Sequence, residues 1–222
     1  MYALAVNGSP RKSWNTATLL KSALAGTKAE GAHTELVHLY DHDYTGCISC
    51  FACKKIGGKS YGRCAVRDGL TEILAKAARA DVLILGSPIY FSCETGAMRS
   101  FMERLLFPYL TYTPERFSLF PRRLPTAFIY TMNVPEEHMA AYGQDRTMNV
   151  AQKVMGRIFG SCELLLCTDT YQFKDYSKYL CTCFDAAAKA RRRREVFPED
   201  RKRATALGAR LAAQAASGAP RS

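Results

Sequence analysis

Four cysteines stand in the pattern Cys47-x2-Cys50-x2-Cys53-x10-Cys64. Thiolates this closely spaced, on a glycine-bearing stretch with no hydrophobic period, suit an iron-sulfur cluster or a zinc ion. Free or redox-active thiols are the remaining option. Lys54, Lys55, Lys59 and Arg63 lie among them, and such cations are expected to lower thiol pKa values and to stabilise an anionic cluster. The other five cysteines are scattered, and Cys181 and Cys183, two apart, are assigned no role.

A second chemical segment is Asn7-Gly8-Ser9-Pro10-Arg11-Lys12-Ser13-Trp14-Asn15-Thr16. It offers hydroxyls, an amide, two cations and the free N–H groups of a helix start, which are the parts that hold a phosphate. It is neither a G-x-G-x-x-G fingerprint nor a Walker A loop. Without a ligand it is an ordinary strand-to-helix turn, with Asn15 or Thr16 as the helix cap. A third segment, Ser87-Pro88-Ile89-Tyr90-Phe91, presents apolar and aromatic side chains just after a strand.

These segments need a scaffold, and the hydrophobic pattern supplies one. Short apolar runs at 2–6, 34–39, 82–86, 126–131 and 163–167 read as strands. The run at 82–86 is apolar throughout, as a strand buried on both faces must be. Helical periodicity covers 15–25, 68–80 (opened by Asp68), 95–106, 145–159 and 186–193, and a last helix starts with Pro198 at its N1 position and runs to 213. Strands alternating with helices predict right-handed crossovers and a five-stranded parallel sheet in a three-layer α/β sandwich, with ligands outside the carboxyl ends of the strands. Either doubly wound strand order fits that alternation. We expect a single domain over residues 1–216, with a Cys-rich insertion at about 46–67 and a frayed tail at 217–222.

Composition narrows the function classes. The 222 residues are 48% hydrophobic and 23% charged, which excludes disorder as the main state. No apolar run is long enough for a membrane span, and the N-terminus has no basic lead before its apolar run, so a cytoplasmic protein is expected. The nine cysteines are then free or metal-bound rather than a disulfide framework. The formal charge of +11 attracts anions, but no nucleic-acid reader motif is present. The run Arg191–Arg194 reads as a solvated helix face.

The string Gly8-Ser9-Pro10-Arg11-Lys12-Ser13-Trp14-Asn15-Thr16 resembles the phosphate loop of the NADPH-dependent FMN reductase and iron-sulfur flavoprotein family, usually G-S-P-R-x-x-G-N-T, with Trp14 where glycine is common. Ser87-Pro88-Ile89-Tyr90-Phe91, followed by Gly96, Phe101, Glu103 and Arg104, resembles the family's S-P-I-Y-F…G…F-x-D-R segment. Residues 171–179 and Phe197-Pro198-Glu199-Asp200 with Gly208 look like its C-terminal segments. The resemblance implies a flavodoxin-like fold with strand order 2-1-3-4-5. It implies that Ser9, Arg11, Asn15 and Thr16 hold the phosphate of FMN, and that Pro88, Ile89, Tyr90 and Phe91, with Thr131 and Asn133 of a third loop, contact the flavin. It also implies a [4Fe-4S] cluster on Cys47, Cys50, Cys53 and Cys64, although the last gap of ten residues exceeds the family's four to seven.

The implied activity is FMN-dependent oxidoreduction, with electrons passing from NAD(P)H to a quinone, flavin or other small acceptor, through the cluster if it is present. Flavin chemistry needs neither a catalytic nucleophile nor a general base, so no catalytic residue is expected. The alternative is an iron-sulfur flavoprotein that exchanges electrons with ferredoxin and has no nicotinamide site. A homodimer or homotetramer is implied by the same resemblance.

Overall fold

The computed structural model describes residues 1–218. The elements follow in chain order as β1 (Tyr2–Asn7), α1 (Asn15–Ala29), β2 (His33–His38), α2 (Thr71–Arg79), β3 (Val82–Tyr90), β4 (Cys93–Glu94) and α3 (Gly96–Leu106). After these come β5 (Thr126–Thr131), α4 (Gln144–Phe159), β6 (Glu163–Cys167), α5 (Ala186–Glu195) and α6 (Phe197–Ala216). Five strands form a parallel sheet in the order β2-β1-β3-β5-β6. With the two-residue β4 set aside, this is the expected 2-1-3-4-5 order. The strand β4 is an addition that folds back antiparallel on the end of β3.

Alternation along the central strands sends side chains to two cores. Leu4, Val6, Leu83, Leu85, Phe128 and Tyr130 face one side, where α2, α3 and α4 contribute Ile73, Met98, Phe101, Met148 and Met155. Ala3, Ala5, Val82, Ile84, Ala127 and Ile129 face the other, against Leu19, Leu20 and Ala23 of α1 and Leu207 and Leu211 of α6. The small side chains on this second face let α1 come close to the sheet, and α6 in turn closes onto α1. A Cβ on Gly26 would lie 1.9 Å from the Thr205 carbonyl oxygen, and one on Gly208 would lie 1.9 Å from that of Ala23.

Some boundaries differ from expectation for local reasons. The strand β3 continues beyond 86 through Ser87, Pro88, Ile89 and Tyr90, because β4 gives its end a partner. Asp68 does not open α2; its Oδ1 accepts from the Leu70 amide and the helix begins at Thr71. Neither Asn15 nor Thr16 caps α1, whose N-cap position is Trp14 without a side-chain cap bond. The helix α6 runs on to Ala216 rather than 213. Of the expected frayed tail, residues 219–222 lie outside the described residues. No helix among the described residues is long and apolar enough to cross a membrane.

Gly208→Ala is expected to cost about 1–3 kcal/mol despite the better helix propensity of alanine, because its methyl meets a backbone carbonyl that cannot move aside. Gly96→Ala, where a Cβ meets nothing within 4 Å, is expected to be neutral or slightly stabilising. Urea unfolding of the two variants checks the contrast, and equal stabilities would contradict the α1–α6 close approach.

Candidate functional site

The loop after β1 is built by its own side chains. The Ser9 amide donates to Asn7 Oδ1 at 3.1 Å and the Arg11 amide to Ser9 Oγ at 3.1 Å. Gly8 is held at both ends, its N–H donating to the Gly86 carbonyl and its carbonyl accepting from Thr95 Oγ1. The loop is thereby fastened to β3 and to the start of α3. Asn7 Nδ2 lies 2.8 Å from His38 Nδ1, and burial lowers the His38 pKa, which favours a neutral ring able to accept that bond. Ser9, Asn15 and Thr16 are buried, and Thr16 Oγ1 sits 2.7 Å from Thr131 Oγ1 at the end of β5.

The end of β3 and β4 form a tight ribbon joined by Phe91 and Ser92, both with positive φ (48° and 64°). A two-residue hairpin of the I′ kind requires that geometry, which normally selects Asn or Gly. Here non-glycine residues hold it at a strain of about 1 kcal/mol or more each. Two contacts help keep it in place. Ser92 Oγ donates to the Tyr142 carbonyl, and buried Tyr130 donates its hydroxyl to Glu94 Oε1 at 2.6 Å. The ribbon thrusts Phe91 fully into solvent and leaves Tyr90 about half exposed.

Ser9, Arg11, Asn15, Thr16, Pro88, Ile89, Tyr90, Thr131 and Asn133 line one cleft at the carboxyl ends of β1, β3 and β5. Phe91 is not in that lining but stands on the turn outside. Lys12 is also turned away, in a surface ion pair with Asp41. The cleft's remaining wall, which the sequence reading did not assign, comes from Trp14, Met132, Thr170, Tyr171 and Gln172. Residues 171–179 look like a C-terminal segment of the family, a resemblance that by itself names no cleft residue.

N–H donors of the β1–α1 loop converge on this wall. Trp14 Nε1 and Asn15 Nδ2 donate to the Tyr171 carbonyl at 3.1 and 2.9 Å, and Arg11 Nη1 donates to the Gln172 carbonyl at 2.5 Å. Asn133 Nδ2 donates to Gln172 Oε1, while its own Oδ1 is buried without a hydrogen-bond partner. These side chains are donors of the kind that hold anionic oxygens, each paired here with a protein carbonyl that a ligand oxygen would replace, and the orphaned Asn133 acceptor fits a ligand N–H.

The segment carrying Cys47, Cys50, Cys53 and Cys64 has no strand or helix, and all four cysteines line one small cavity beside α3. None of the nine cysteines is in a disulfide. Among the described residues no group of three or more His, Cys, Asp or Glu is arranged to hold a metal ion. The four thiols thus suit a cluster by donor type and shared cavity, not by finished geometry. The expected lowering of thiol pKa fails at Cys53, where burial pushes the thiol up against the opposing charge of Lys54. Lys54 instead donates to the Phe107 and Leu110 carbonyls beyond the end of α3.

The cation hydrogen-bonded to one of these four thiols is Arg104, whose side chain is fully buried. Its Nε donates to Cys64 Sγ at 3.4 Å, Nη1 to the Thr45 carbonyl and to Asp68, and Nη2 to the Val66 carbonyl. Its neighbour Glu103 accepts from the Cys47 amide at 3.0 Å. Burial alone would raise the Asp68 pKa, but the Arg104 and Leu70 hydrogen bonds outweigh it and hold the carboxyl below its usual value.

Arg104→Ala is expected to lower the unfolding free energy by about 3 kcal/mol, since it strands a partly buried carboxylate. Because Asp68 is more acidic folded than unfolded, its contribution is full above about pH 4 and fades as pH falls through the lower folded value. Melting temperature followed from neutral to acid pH should therefore fall less steeply in Asp68→Asn than in the unsubstituted protein. Parallel profiles would remove Asp68 from the acid response.

Comparison with known proteins agrees with this geometry. An iron-sulfur flavoprotein of Methanocaldococcus jannaschii is 38% identical over 104 residues, 47% of this chain and 51% of that one. One from Archaeoglobus fulgidus is 36% identical over 104 residues, 47% of this chain and 48% of its own. The match therefore spans about half the length of these curated relatives. Among solved structures, an NAD(P)H:quinone oxidoreductase from Methanothermobacter marburgensis superposes with a TM-score of 0.68 at 14% identity, covering 95% of this chain and 96% of that one. An FMN-dependent NADH-azoreductase from Bacillus anthracis gives 0.64 at 15%, covering 96% and 100%. At these identities the superpositions establish the flavodoxin-like fold. Residues 1–120, which carry the β1–α1 loop, the cysteine segment and the β3–β4 ribbon, match the family model described as NADPH-dependent FMN reductase, and the chain belongs to that family.

Proposed function

We propose that the chain is an FMN-dependent oxidoreductase that takes electrons from NAD(P)H and delivers them to a quinone, a flavin or another small acceptor. The observation that carries this reading is the convergence of the phosphate-loop donors, in a chain of this family, on one cleft at the carboxyl ends of β1, β3 and β5. Ser9, Arg11, Asn15 and Thr16 would hold the phosphate, and Arg11 would offset its charge. The cleft encloses about 140 Å³, below the roughly 300–1,000 Å³ typical of whole-ligand pockets. It suits the phosphate end, leaving the flavin ring to Pro88, Ile89, Tyr90 and the outlying Phe91 at the mouth. Asn133 Oδ1 would accept from a ligand N–H. Backbone N–H groups of the ribbon near Tyr90 and Phe91 would stabilise negative charge on the ring. When bound, FMN supplies the redox chemistry, accepting an electron pair and releasing it in pairs or singly.

Cys47, Cys50, Cys53 and Cys64 would hold an iron-sulfur cluster, which supplies one-electron transfer. Arg104 would balance thiolate charge from the Cys64 side. The relatives are named iron-sulfur flavoproteins, which supports the cluster; a second reading of the same cofactors is an electron-transfer protein that trades electrons with ferredoxin and needs no nicotinamide. Assembly as a homodimer or homotetramer is part of either reading, supported by the exposed Ile48, Phe51 and Val150.

Anaerobic purification followed by an absorption spectrum, with iron and acid-labile sulfide assays on the same sample, tests both cofactors. Flavin bands with iron and sulfide are expected, at about four of each per chain for a [4Fe-4S] cluster. NADH and NADPH oxidation assays then separate the two readings. Trp14 is the chain's single tryptophan and lines the cleft, so added FMN should quench its fluorescence saturably. Arg11→Ala should weaken that binding about tenfold, the size of one charge-assisted hydrogen bond. A colourless protein whose Trp14 emission ignores FMN would overturn the proposal.

A further inference from the structure

The four arginines 191–194, expected to form one solvated face, are divided by the fold. Arg191 and Arg194 are exposed, and Arg194 pairs with its neighbour Glu195. Arg192 turns inward to Asp200, 2.7 Å away. Arg193, half-buried, reaches across to the phosphate loop, where Nη1 donates to Asn15 Oδ1 at 2.7 Å. Its guanidinium lies over the Phe197 ring at 4.1 Å and the Trp14 ring at 5.8 Å. The same indole carries Arg11 at 5.5 Å, so one ring gathers two guanidiniums.

Two physical points follow. First, Asn15 can present either end of its amide to the cleft, the donor Nδ2 or the acceptor Oδ1. With Oδ1 engaged by a cation that can only donate, Nδ2 must face the other way, and it donates into the cleft wall at Tyr171. A charge-assisted bond at Oδ1 also polarises the amide, making Nδ2 a stronger donor. Second, among the described residues neither Arg193 nor Arg11 has a carboxylate within ion-pairing distance; their polar contacts are an amide and a backbone carbonyl. Burial, with the charges of Arg192 and Arg201 adding to it, disfavours the charged form of Arg193. Positive charge collected without a counter-ion beside converging donors calls for an anion.

We propose that Arg193 is a positioning residue of the phosphate end: it turns the donor end of Asn15 into the cleft and adds a second positive charge beside Arg11, so that the site selects a phosphate dianion over an uncharged ligand. The proposal rests on the FMN reading above. It reaches that site from α5, outside the residues 1–120 that match the family.

The test compares FMN with riboflavin, which lacks the phosphate, by titrating Trp14 and flavin fluorescence at low and high salt. Arg193→Ala is expected to weaken FMN about tenfold and riboflavin by less than about twofold, and to flatten the salt dependence of FMN binding. Arg193→Lys, which keeps the charge, should recover part of the loss, and exposed Arg191→Ala should change nothing. If Arg193→Ala fails to fold by circular dichroism, Arg193→Gln and Arg193→Lys carry the same comparison. Equal weakening of both ligands, or an unchanged preference for FMN, overturns the role of Arg193 alone. Unsubstituted protein that binds neither ligand overturns the FMN reading and this proposal with it.

Discussion

The strand β3 has no exposed surface over residues 82–85, and its neighbours β1 and β5 are nearly as deeply covered. A parallel strand buried on both faces needs a helical layer above and below, and the chain must cross back over the sheet after each strand. Those crossings collect the β1, β3 and β5 loops at a single end of the sheet, and there they form the cleft. The same burial sets the geometry of the second layer. Because Ala3 and Ala5 are small, α1 lies low on the sheet; because Gly26 and Gly208 lack side chains, α6 lies low on α1. The helix α5, which leads directly into α6, is thereby brought within reach of the phosphate loop.

Much of this was legible in the sequence because it is local. A strand apolar on both faces, alternation with helices, and a polar loop after the first strand are patterns within ten or so residues. They sufficed for a parallel three-layer sheet but left its strand order open; the order, and the nine named residues that meet in the cleft, came from the family resemblance. What was not legible depends on contacts between distant segments. Tyr171 meets Trp14 and Asn15, and Gln172 meets Arg11, across more than 150 positions, through backbone carbonyls that carry no sequence signal. Arg193 looked like any member of a basic run until α6 fixed the rotation of α5. Phe91 was grouped with its apolar neighbours, yet the turn that ends β3 places it in solvent, because φ is positive at two residues where sequence would have asked for glycine or asparagine.

The cysteine segment shows the opposite division of labour. Its spacing announces the thiols, but its attachment lies elsewhere, in Glu103 and Arg104 on α3. Arg104 alone gathers two backbone carbonyls, a carboxylate and a thiol. A segment without regular structure has few backbone partners of its own, and a buried guanidinium with donors fanned in one plane can satisfy several at once.

Three of the four acceptors of Arg104 are not sulfur. The hold of α3 on the segment therefore does not rest on sulfur alone. Breaking the bond from Arg104 to Cys64 Sγ would leave three others in place, so the segment and the helix that packs on the sheet stay coupled by bonds that the chemistry of the sulfurs does not touch.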